Sequence, residues 1–366
     1  MKVTWCSNCL AMSTRPRIKF DERGFCNACI WSEEKKSIDW SLRRNELDEL
    51  LAQNKSETAE FDCIVPVSGG KDGSYVAYTL KHKYHLRVLC LTVTPPLPLS
   101  LGENNLRAFV ESGYDHVSIN PDYEKMRVLN RTGFIEMGFP YYGWLLAIQT
   151  VPAIIARKFG VKLVFYGEDG EVEYGGTNET SRSPIFDSSY QRRIYLEGGY
   201  EKVVKASGLD PKDLGFFVFP EPDDEPISLT HWSYFENWDP YRNYLVAKEF
   251  CGLREADEAN SGTFTNFSQN DQALYALHTY MMYLKFGFGR ANQDASIEIR
   301  RGAMNRDQAK NLVILYDGHY PEEFVGTYLD YFQINKVEFD EVLDRYANKN
   351  LFEKLDGKWH PKFKIS

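Results

Sequence analysis

The stretch IVPVSGGKDGS at residues 64–74 constrains the fold of this chain more than any other segment. An apolar run typical of a strand is followed by Ser68, Gly69 and Gly70, and then by a pattern that predicts a helix from about Gly73 to Tyr84. Glycine adopts backbone conformations that other residues avoid, and strand–turn–helix units are typical of parallel sheets covered by helices. The segment therefore predicts an α/β fold with a tight turn at the carboxyl end of a strand.

The same alternation continues along the first half of the chain. Further strands are expected at LRVLCLTV, DHVSI and VKLVFYG, and helices at about 104–112, 122–137 and 143–159. This order predicts a parallel sheet with helices on both faces, in which ligands bind at the carboxyl ends of the strands. From about residue 269 the patterns are mainly helical.

The glycine turn has the composition of an anion-binding loop. Glycine exposes backbone N–H groups, and the N-terminus of the following helix adds a partial positive charge. A Walker A loop is excluded because it needs four residues between its first glycine and its G-K-[ST] end. A purely structural turn capped by Asp72 is the alternative to a phosphate site.

Four of the seven cysteines form two pairs near the N-terminus. Two residues separate Cys6 from Cys9 and Cys26 from Cys29, and 16 residues lie between the pairs. This spacing is typical of a four-thiolate zinc ribbon, and the predicted Zn²⁺ is structural because protein ligands fill every position. Disulfides, free thiols and an iron–sulfur cluster are the alternatives.

A second glycine-rich segment, GEDGEVEYGG, follows the strand VKLVFYG. Its acids suit Mg²⁺ or sugar hydroxyls, and Glu168 and Glu173 are the favoured candidates, with Tyr174 as a further substrate contact. A solvated loop is the alternative. Farther along, Lys285 and Arg290 flank the turn of YLKFGFGR and suit the phosphates of a nucleotide-linked sugar substrate, although cations also stabilise helix C-termini.

The bulk properties limit the partners. A net charge of −9 and the lack of a long basic run argue against nucleic acid. The N-terminal residues have no apolar core of a signal peptide, and the longest apolar stretch is shorter than the ~20 residues that span a bilayer. We therefore expect a cytoplasmic protein without membrane segments.

The segment SGGKDGS resembles the PP-loop of the ATP pyrophosphatase superfamily, which cleaves ATP between its α- and β-phosphates. The resemblance implies that the Ser68 hydroxyl and the Gly69 and Gly70 amides hold the phosphates. Lys71 would neutralise the leaving pyrophosphate, and Asp72 would help to hold Mg²⁺. Gly73 stands where many members have serine, and Ser74 follows it as the last residue of the site.

Longer motifs resemble one PP-loop family, the N-acetyl sugar amidotransferases of the WbpG, PseA and WbuX type. They are the cysteine pairs, VPVSGGKDGSYVA, GEDGEVEYGG, WDPYRNY and above all ALHTYMMYLKFGFGRANQDASIEIRRG. The resemblance covers nearly the whole chain. The acidic interior of GEDGEVEYGG departs from related sequences and leaves the role of Glu171 open.

This resemblance implies an ATP-dependent ligase that converts an N-acetyl group of a nucleotide-linked bacterial surface sugar into an acetamidino group. Lys71, Asp72 and Glu168 are the expected catalytic residues. The chain shows no glutaminase site, so the expected ammonia source is a separate HisH-like glutaminase, with a cyclase-like (HisF-like) subunit as a conduit. The product would enter lipopolysaccharide O-antigen or a related glycan.

The combined motifs predict four segments. They are a zinc-ribbon module at 1–32, a helical connector at 33–56, a Rossmann-like PP-loop domain at 57–250 and a helical substrate-binding region at 251–366. Residues 177–245 are expected to form an insertion of loops and short elements over the sheet.

Two other functions fit parts of the sequence. Other PP-loop enzymes modify tRNA, which would require a basic face that this acidic chain lacks. A non-catalytic adaptor with a degenerate nucleotide fold would require that the intact SGGKDG loop not bind ATP.

Overall fold

The computed structural model describes residues 3–55, 58–220 and 227–366. The last residue of the predicted connector, Ser56, and the first residue of the predicted PP-loop domain, Glu57, lie outside the described residues. So do residues 221–226 of the predicted insertion.

A six-stranded sheet forms the centre of the molecule. Its order is β3-β2-β1-β4-β6-β5, and every neighbouring pair is parallel except β5 with β6. This architecture confirms the predicted α/β class. The strands are β1 (Cys63–Pro66), β2 (Val88–Val93), β3 (Asp115–Ile119), β4 (Leu163–Tyr166), β5 (Ile185–Phe186) and β6 (Ser228–His231), and a separate hairpin holds β7 (Phe352–Leu355) and β8 (Lys358–Pro361).

Helices cover both faces of the sheet and form the C-terminal region. Short 3₁₀ turns and one π-helical turn, Gln191–Tyr195, connect them. The helices are α1 (Asn27–Glu34), α2 (Trp40–Asn54), α3 (Lys71–His82), α4 (Ser100–Glu111), α5 (Tyr123–Met137), α6 (Tyr142–Phe159), α7 (Gly170–Tyr174), α8 (Ser188–Tyr190), α9 (Tyr200–Ser207), α10 (Pro240–Phe250), α11 (Leu274–Phe286), α12 (Arg290–Arg301), α13 (Arg306–Tyr316), α14 (Val325–Phe332) and α15 (Lys336–Tyr346).

Alternating side chains of β1 pack into two hydrophobic cores, one on each face of the sheet. Ile64 packs with α5 and α6 on one face, whereas Cys63 and Val65 pack with α2 and α3 on the other. Because both faces are covered, the central strands are almost wholly apolar. None of the helices in the described ranges combines the length and apolarity that a bilayer crossing requires.

Two elements differ from the expectations. The segment 177–245 contributes β5 and β6 to the sheet, so the expectation that it only lies over the sheet is wrong. Strands of two and four residues carry too little periodicity to be recognised in sequence. The hairpin of β7 and β8 near the C-terminus was not expected either.

The strand order places a crevice between β1 and β4. The chain moves outward from β1 to β2 and β3, and then returns to the other side of β1 with β4. In open parallel sheets ligands bind at such a reversal point. Both glycine-rich segments, 68–73 and 167–176, therefore leave neighbouring strands at this crevice.

Candidate functional site

The glycine turn after β1 requires its glycines. Gly69 has a φ of 79°, and a β-carbon there would lie 2.4 Å from the backbone nitrogen of Leu106. A β-carbon on Gly73 would lie 2.7 Å from the carbonyl oxygen of Pro66, so a larger residue here would require the backbone to shift. The first turn of α3 thus packs directly on β1, with its free N–H groups at the crevice.

Lys71 and Asp72 begin α3 and form an ion pair with each other. Lys71 is 9% exposed, so its ammonium group is held near the turn by its surroundings. The second carboxylate oxygen of Asp72 accepts a hydrogen bond from Nδ2 of Asn243, at 3.2 Å. Asn243 lies on α10 and is fully buried, so α10 fixes the orientation of Asp72.

Glu168 follows β4 and approaches this pair from the neighbouring strand. Burial and, to a smaller extent, the charge of Asp72 raise the pKa of its carboxyl to about 7, although Lys71, Arg290 and a hydrogen bond from Tyr174 lower it. The Tyr174 hydroxyl donates that bond at 2.9 Å. A carboxyl with such a pKa exchanges its proton near neutral pH, as catalytic acids and bases do.

These side chains line one cavity of about 320 Å³, named here the loop cavity. Its lining includes the whole glycine turn, with Lys71 and Asp72, together with Glu168 and Arg290. Ser74, the last predicted residue, is buried in α3 behind the turn. The roles of these residues toward a ligand stay predictions.

A larger cavity of about 670 Å³, named here the strand cavity, adjoins the loop cavity. It lies at the carboxyl end of β2 and is lined by Thr92, Val93 and Thr94, and it shares Ser68, Gly102 and Asp271 with the loop cavity. The two cavities therefore form one continuous cleft at the edge of the sheet.

The acidic segment after β4 is ordered by ion pairs rather than solvated. Both oxygens of Glu171 accept hydrogen bonds from Arg17, at 2.8 and 2.9 Å, which answers the open question about its role. Glu173 accepts hydrogen bonds from Lys35 at 3.0 Å and from the indole of Trp31 at 3.1 Å. The predicted zinc-ribbon module and the start of the connector thereby hold the segment that carries Glu168.

The four predicted metal ligands converge. The Sγ atoms of Cys6, Cys9, Cys26 and Cys29 lie within 4.8 Å of one another, and all four residues are buried. Four thiolates at this spacing fit a tetrahedral Zn²⁺, which would hold the module together. Nearby, Arg306 donates hydrogen bonds to the carbonyls of Cys6 and Cys9 and ties the cluster to α13.

The two predicted phosphate-binding cations lie in different places. Arg290 lines the loop cavity, where its Nε donates a hydrogen bond to Asp294 at 2.8 Å. Lys285 instead donates a hydrogen bond to the carbonyl of Met137 at 2.8 Å, near the C-terminus of α5. Gly287 ends α11 between them with a φ of 85°, as expected for the turn.

Sequence reasoning missed two residues of the site. Asn243 lies in WDPYRNY, a motif that resembled the family but carried no assigned role. Asp271 lines both cavities, and burial raises the pKa of its carboxyl to about 6. Only the three-dimensional arrangement identifies it, because SGTFTNFSQND contains no spacing typical of a catalytic acid.

Comparisons with known proteins cover parts of the chain. A curated relative, an uncharacterized protein of Methanocaldococcus jannaschii, is 29% identical over 120 residues, which are 32% of this chain and 43% of the relative. Another, cellodextrinase A of Ruminococcus flavefaciens, is 25% identical over 190 residues, 49% of this chain and 51% of the relative. The chain thus spans about half or less of the length of these relatives.

A family model gives a more specific result. The model described as "LPS biosynthesis protein WbpG-like, C-terminal domain" matches residues 261–364. This range contains Arg290, Asp271 and the whole of the long motif on which the resemblance depended. The match supports the resemblance, and residues 261–364 of the chain form a WbpG-like C-terminal domain.

Proposed function

We propose that this protein is an ATP-dependent amidotransferase that converts an N-acetyl group of a nucleotide-linked bacterial sugar into an acetamidino group. The observation that carries the proposal is the meeting of the glycine turn with Glu168 in the loop cavity. The WbpG-like C-terminal domain supports a role in the biosynthesis of surface sugars.

The two adjoining cavities suit the two parts of ATP. The strand cavity has a largely apolar lining and room for an adenosine, whereas the loop cavity offers Lys71, Arg290 and the N-terminus of α3 to the phosphates. Asp72 and Glu168 are oxygen ligands of the kind that Mg²⁺ takes beside phosphates.

The reaction activates an amide, which is a poor electrophile. The acetamido oxygen attacks the α-phosphorus of ATP, and the bond to the pyrophosphate leaving group breaks. Ammonia then adds to the activated carbon, loses a proton to a base, and AMP departs with the former acetamido oxygen. Lys71 offsets the charge that develops on pyrophosphate, and Glu168 lies where a proton acceptor is needed.

The ammonia comes from a partner protein in this proposal. At neutral pH most free ammonia is protonated, and a HisH-like glutaminase, with a HisF-like subunit as conduit, would deliver it unprotonated. Nucleotide sugars are made in the cytoplasm, and we place the protein there, in lipopolysaccharide O-antigen or related glycan synthesis.

Isotope labelling tests the central step. Acetamido nucleotide sugars labelled with the heavy oxygen isotope are incubated with protein, ATP–Mg²⁺ and an ammonium salt, and the products are analysed by mass spectrometry. We expect the label in AMP, unlabelled pyrophosphate, and a sugar in which NH replaces oxygen. Lys71→Ala should abolish all three. Formation of ADP and orthophosphate during turnover would contradict the proposal.

A further inference from the structure

A third cavity, named here the connector cavity, lies on the other side of Glu168. Its volume is about 290 Å³, and it is bounded by α1 with the turn that follows it, by the loop before α10, and by α12. Its charged lining residues other than Glu168 are Lys35, Lys36, Glu173, Asp239, Arg300 and Arg301.

The connector cavity meets the nucleotide cleft at a single side chain. Among the residues that the structure describes, Glu168 is the one that lines both this cavity and the loop cavity. The strand cavity adjoins the loop cavity elsewhere, through Ser68, Gly102 and Asp271. The three cavities therefore follow one another, and a ligand in the connector cavity would reach the phosphates at Glu168.

The lining suits a hydroxylated ligand. Each sugar hydroxyl both donates and accepts hydrogen bonds, and this cavity mixes four cations with three carboxylates. Trp238 adds an aromatic surface to the same wall. Its indole Nε1 is buried and has no hydrogen-bond partner in the described part of the chain.

Existing contacts hold this lining in place before a ligand binds. Arg301 contacts Asp239 at 3.0 Å and Glu298 at 2.5 Å, and Arg300 donates a hydrogen bond to the carbonyl of Glu173 at 2.8 Å. Lys36, in contrast, is exposed at the rim. A phosphate that extends from the cavity would meet its ammonium group.

The size limits the occupant. Small-molecule sites have volumes of roughly 300–1,000 Å³, and this cavity is at the lower limit of that range. It has room for one sugar ring but not for a complete nucleotide sugar. The carrier part of such a ligand would therefore lie outside, past Lys36.

We infer that the connector cavity is the acceptor site: it binds the N-acetylated sugar ring, directs its acetamido group to Glu168, and leaves its phosphate-linked carrier at Lys36. The inference rests on the proposed function and adds the substrate site to it. It keeps the expected place of Glu173 beside the sugar, but it assigns Arg290 to the ATP phosphates, whereas the sequence analysis expected Arg290 to bind the sugar substrate.

Two variants test this assignment. Ser32→Trp fills the cavity from α1, and Lys36→Glu reverses the charge at the rim. The probes are UDP-N-acetylglucosamine and CMP-N-acetylneuraminate, with pyrophosphate release as the readout. For the sugar that wild-type protein uses, we expect KM to rise roughly 10–100-fold in both variants, because Ser32→Trp occupies the space of the ring and Lys36→Glu removes a charged contact, with ATP affinity unchanged.

Matched controls lie on the surface outside the cavity. Ser37→Trp adds the same bulk to the neighbouring turn, and Lys202→Glu makes the same charge change on α9; both residues are exposed, and neither should change KM. Zinc content and the midpoint of thermal unfolding show whether Ser32→Trp folds. If it does not fold, the result for Lys36→Glu alone decides the test. An unchanged sugar KM in Lys36→Glu, or in folded Ser32→Trp, overturns the acceptor site. If wild-type protein releases no pyrophosphate with any acetamido sugar, the proposed function itself fails.

Discussion

The carboxyl of Glu168 is held near the point of half-ionisation by its neighbours. Burial and the charge of Asp72 raise its pKa to about 7, while Lys71, Arg290 and the Tyr174 hydroxyl lower it. The proposed mechanism requires the ionised form, as a proton acceptor or a ligand of Mg²⁺. Turnover should therefore increase as the pH rises toward 7 and then level off.

Tyr174→Phe should move this pH profile. The variant removes the hydrogen bond of 2.9 Å that stabilises the carboxylate, so the pKa of Glu168 should rise and the acidic limb should move to higher pH. Pyrophosphate release measured from about pH 5 to 9 detects the change. Tyr123→Phe, at an exposed tyrosine on α5, is the control. An unmoved acidic limb would mean that Glu168 does not govern turnover.

Glu168→Gln should stabilise the fold at alkaline pH. The usual pKa of 4.5 holds in the unfolded chain, whereas the folded value is about 7, so ionisation between these values costs stability as the pH rises. Glutamine removes that cost. We expect the variant to exceed wild type in free energy of unfolding by on the order of 1–3 kcal/mol at pH 8, and by little at pH 4. Denaturant titration at both pH values measures the difference, and an equal effect at both would contradict the altered pKa.

Single residues were predictable where local sequence imposes their geometry. The four cysteines and the glycine turn combine chemistry and spacing within short segments, and the structure brings each group together. The partner of Glu171 was not predictable, because Arg17 lies 154 residues away and no local pattern connects them. Asp271 was missed for the same reason.

At the scale of elements, α10 supports the site from outside the parallel sheet. Asn243→Asp would place a second carboxylate beside Asp72, where the amide now donates a hydrogen bond at 3.2 Å. Repulsion should displace Asp72 or keep one carboxyl protonated. We expect turnover to fall roughly 10–100-fold and the Mg²⁺ requirement to rise, since the lost contact is a buried one to a charge.

Titration of Mg²⁺ in the pyrophosphate assay measures both, and Glu249→Gln, at an exposed residue of the same helix, should match wild type. A normal Mg²⁺ response in a folded variant would exclude Asp72 as a metal ligand.

The predicted zinc-ribbon module holds the short helix α7 in position. Arg17 of this module donates two hydrogen bonds to Glu171, which is largely buried. Arg17→Met leaves that carboxylate unpaired, which costs roughly 3–5 kcal/mol for fully buried pairs and less here because Arg17 is partly exposed. We expect reduced turnover with unchanged zinc content, measured by metal analysis and pyrophosphate release.

The double variant provides the check on this contact. Arg17→Met combined with Glu171→Gln removes the unpaired charge and should recover part of the lost stability. If the two single effects simply add, the ion pair does not position α7.

Element prediction succeeded where periodicity was strong. Helix α6 was expected at 143–159 and spans Tyr142–Phe159, with its Pro152 inside the helix. Helix α4 was expected at 104–112 but begins at Ser100, because the proline-rich segment before it obscures its first turn. The strands β5 and β6 were missed because pairing with a neighbour, rather than their own sequence, defines them.

At the scale of the molecule, the three cavities follow one another in the same order as the ligand parts that the proposed reaction brings together. Nucleoside, phosphates and acceptor would occupy the strand, loop and connector cavities, and Glu168 lies at the last junction. Strand order alone predicts the crevice between β1 and β4. The connector cavity was not predictable, because α1, α10 and α12 are far apart in sequence and form it only by packing together.

The charge of the molecule separates an acceptor sugar from an acceptor tRNA. With a net charge of −9, the protein should repel a phosphate backbone; salt weakens this repulsion but does not supply the basic face that tRNA binding requires. Labelled total tRNA should therefore show no binding to the protein at about 0.15 M salt and should not stimulate pyrophosphate release from ATP. Acetamido nucleotide sugars should stimulate release under the same conditions, because a small ligand needs only the local cations of the connector cavity. The proposed acceptor would be wrong if tRNA, and not the sugars, increased the rate of pyrophosphate release. In that case, digestion of the tRNA with ribonuclease should abolish the increase, which distinguishes tRNA from a small-molecule contaminant.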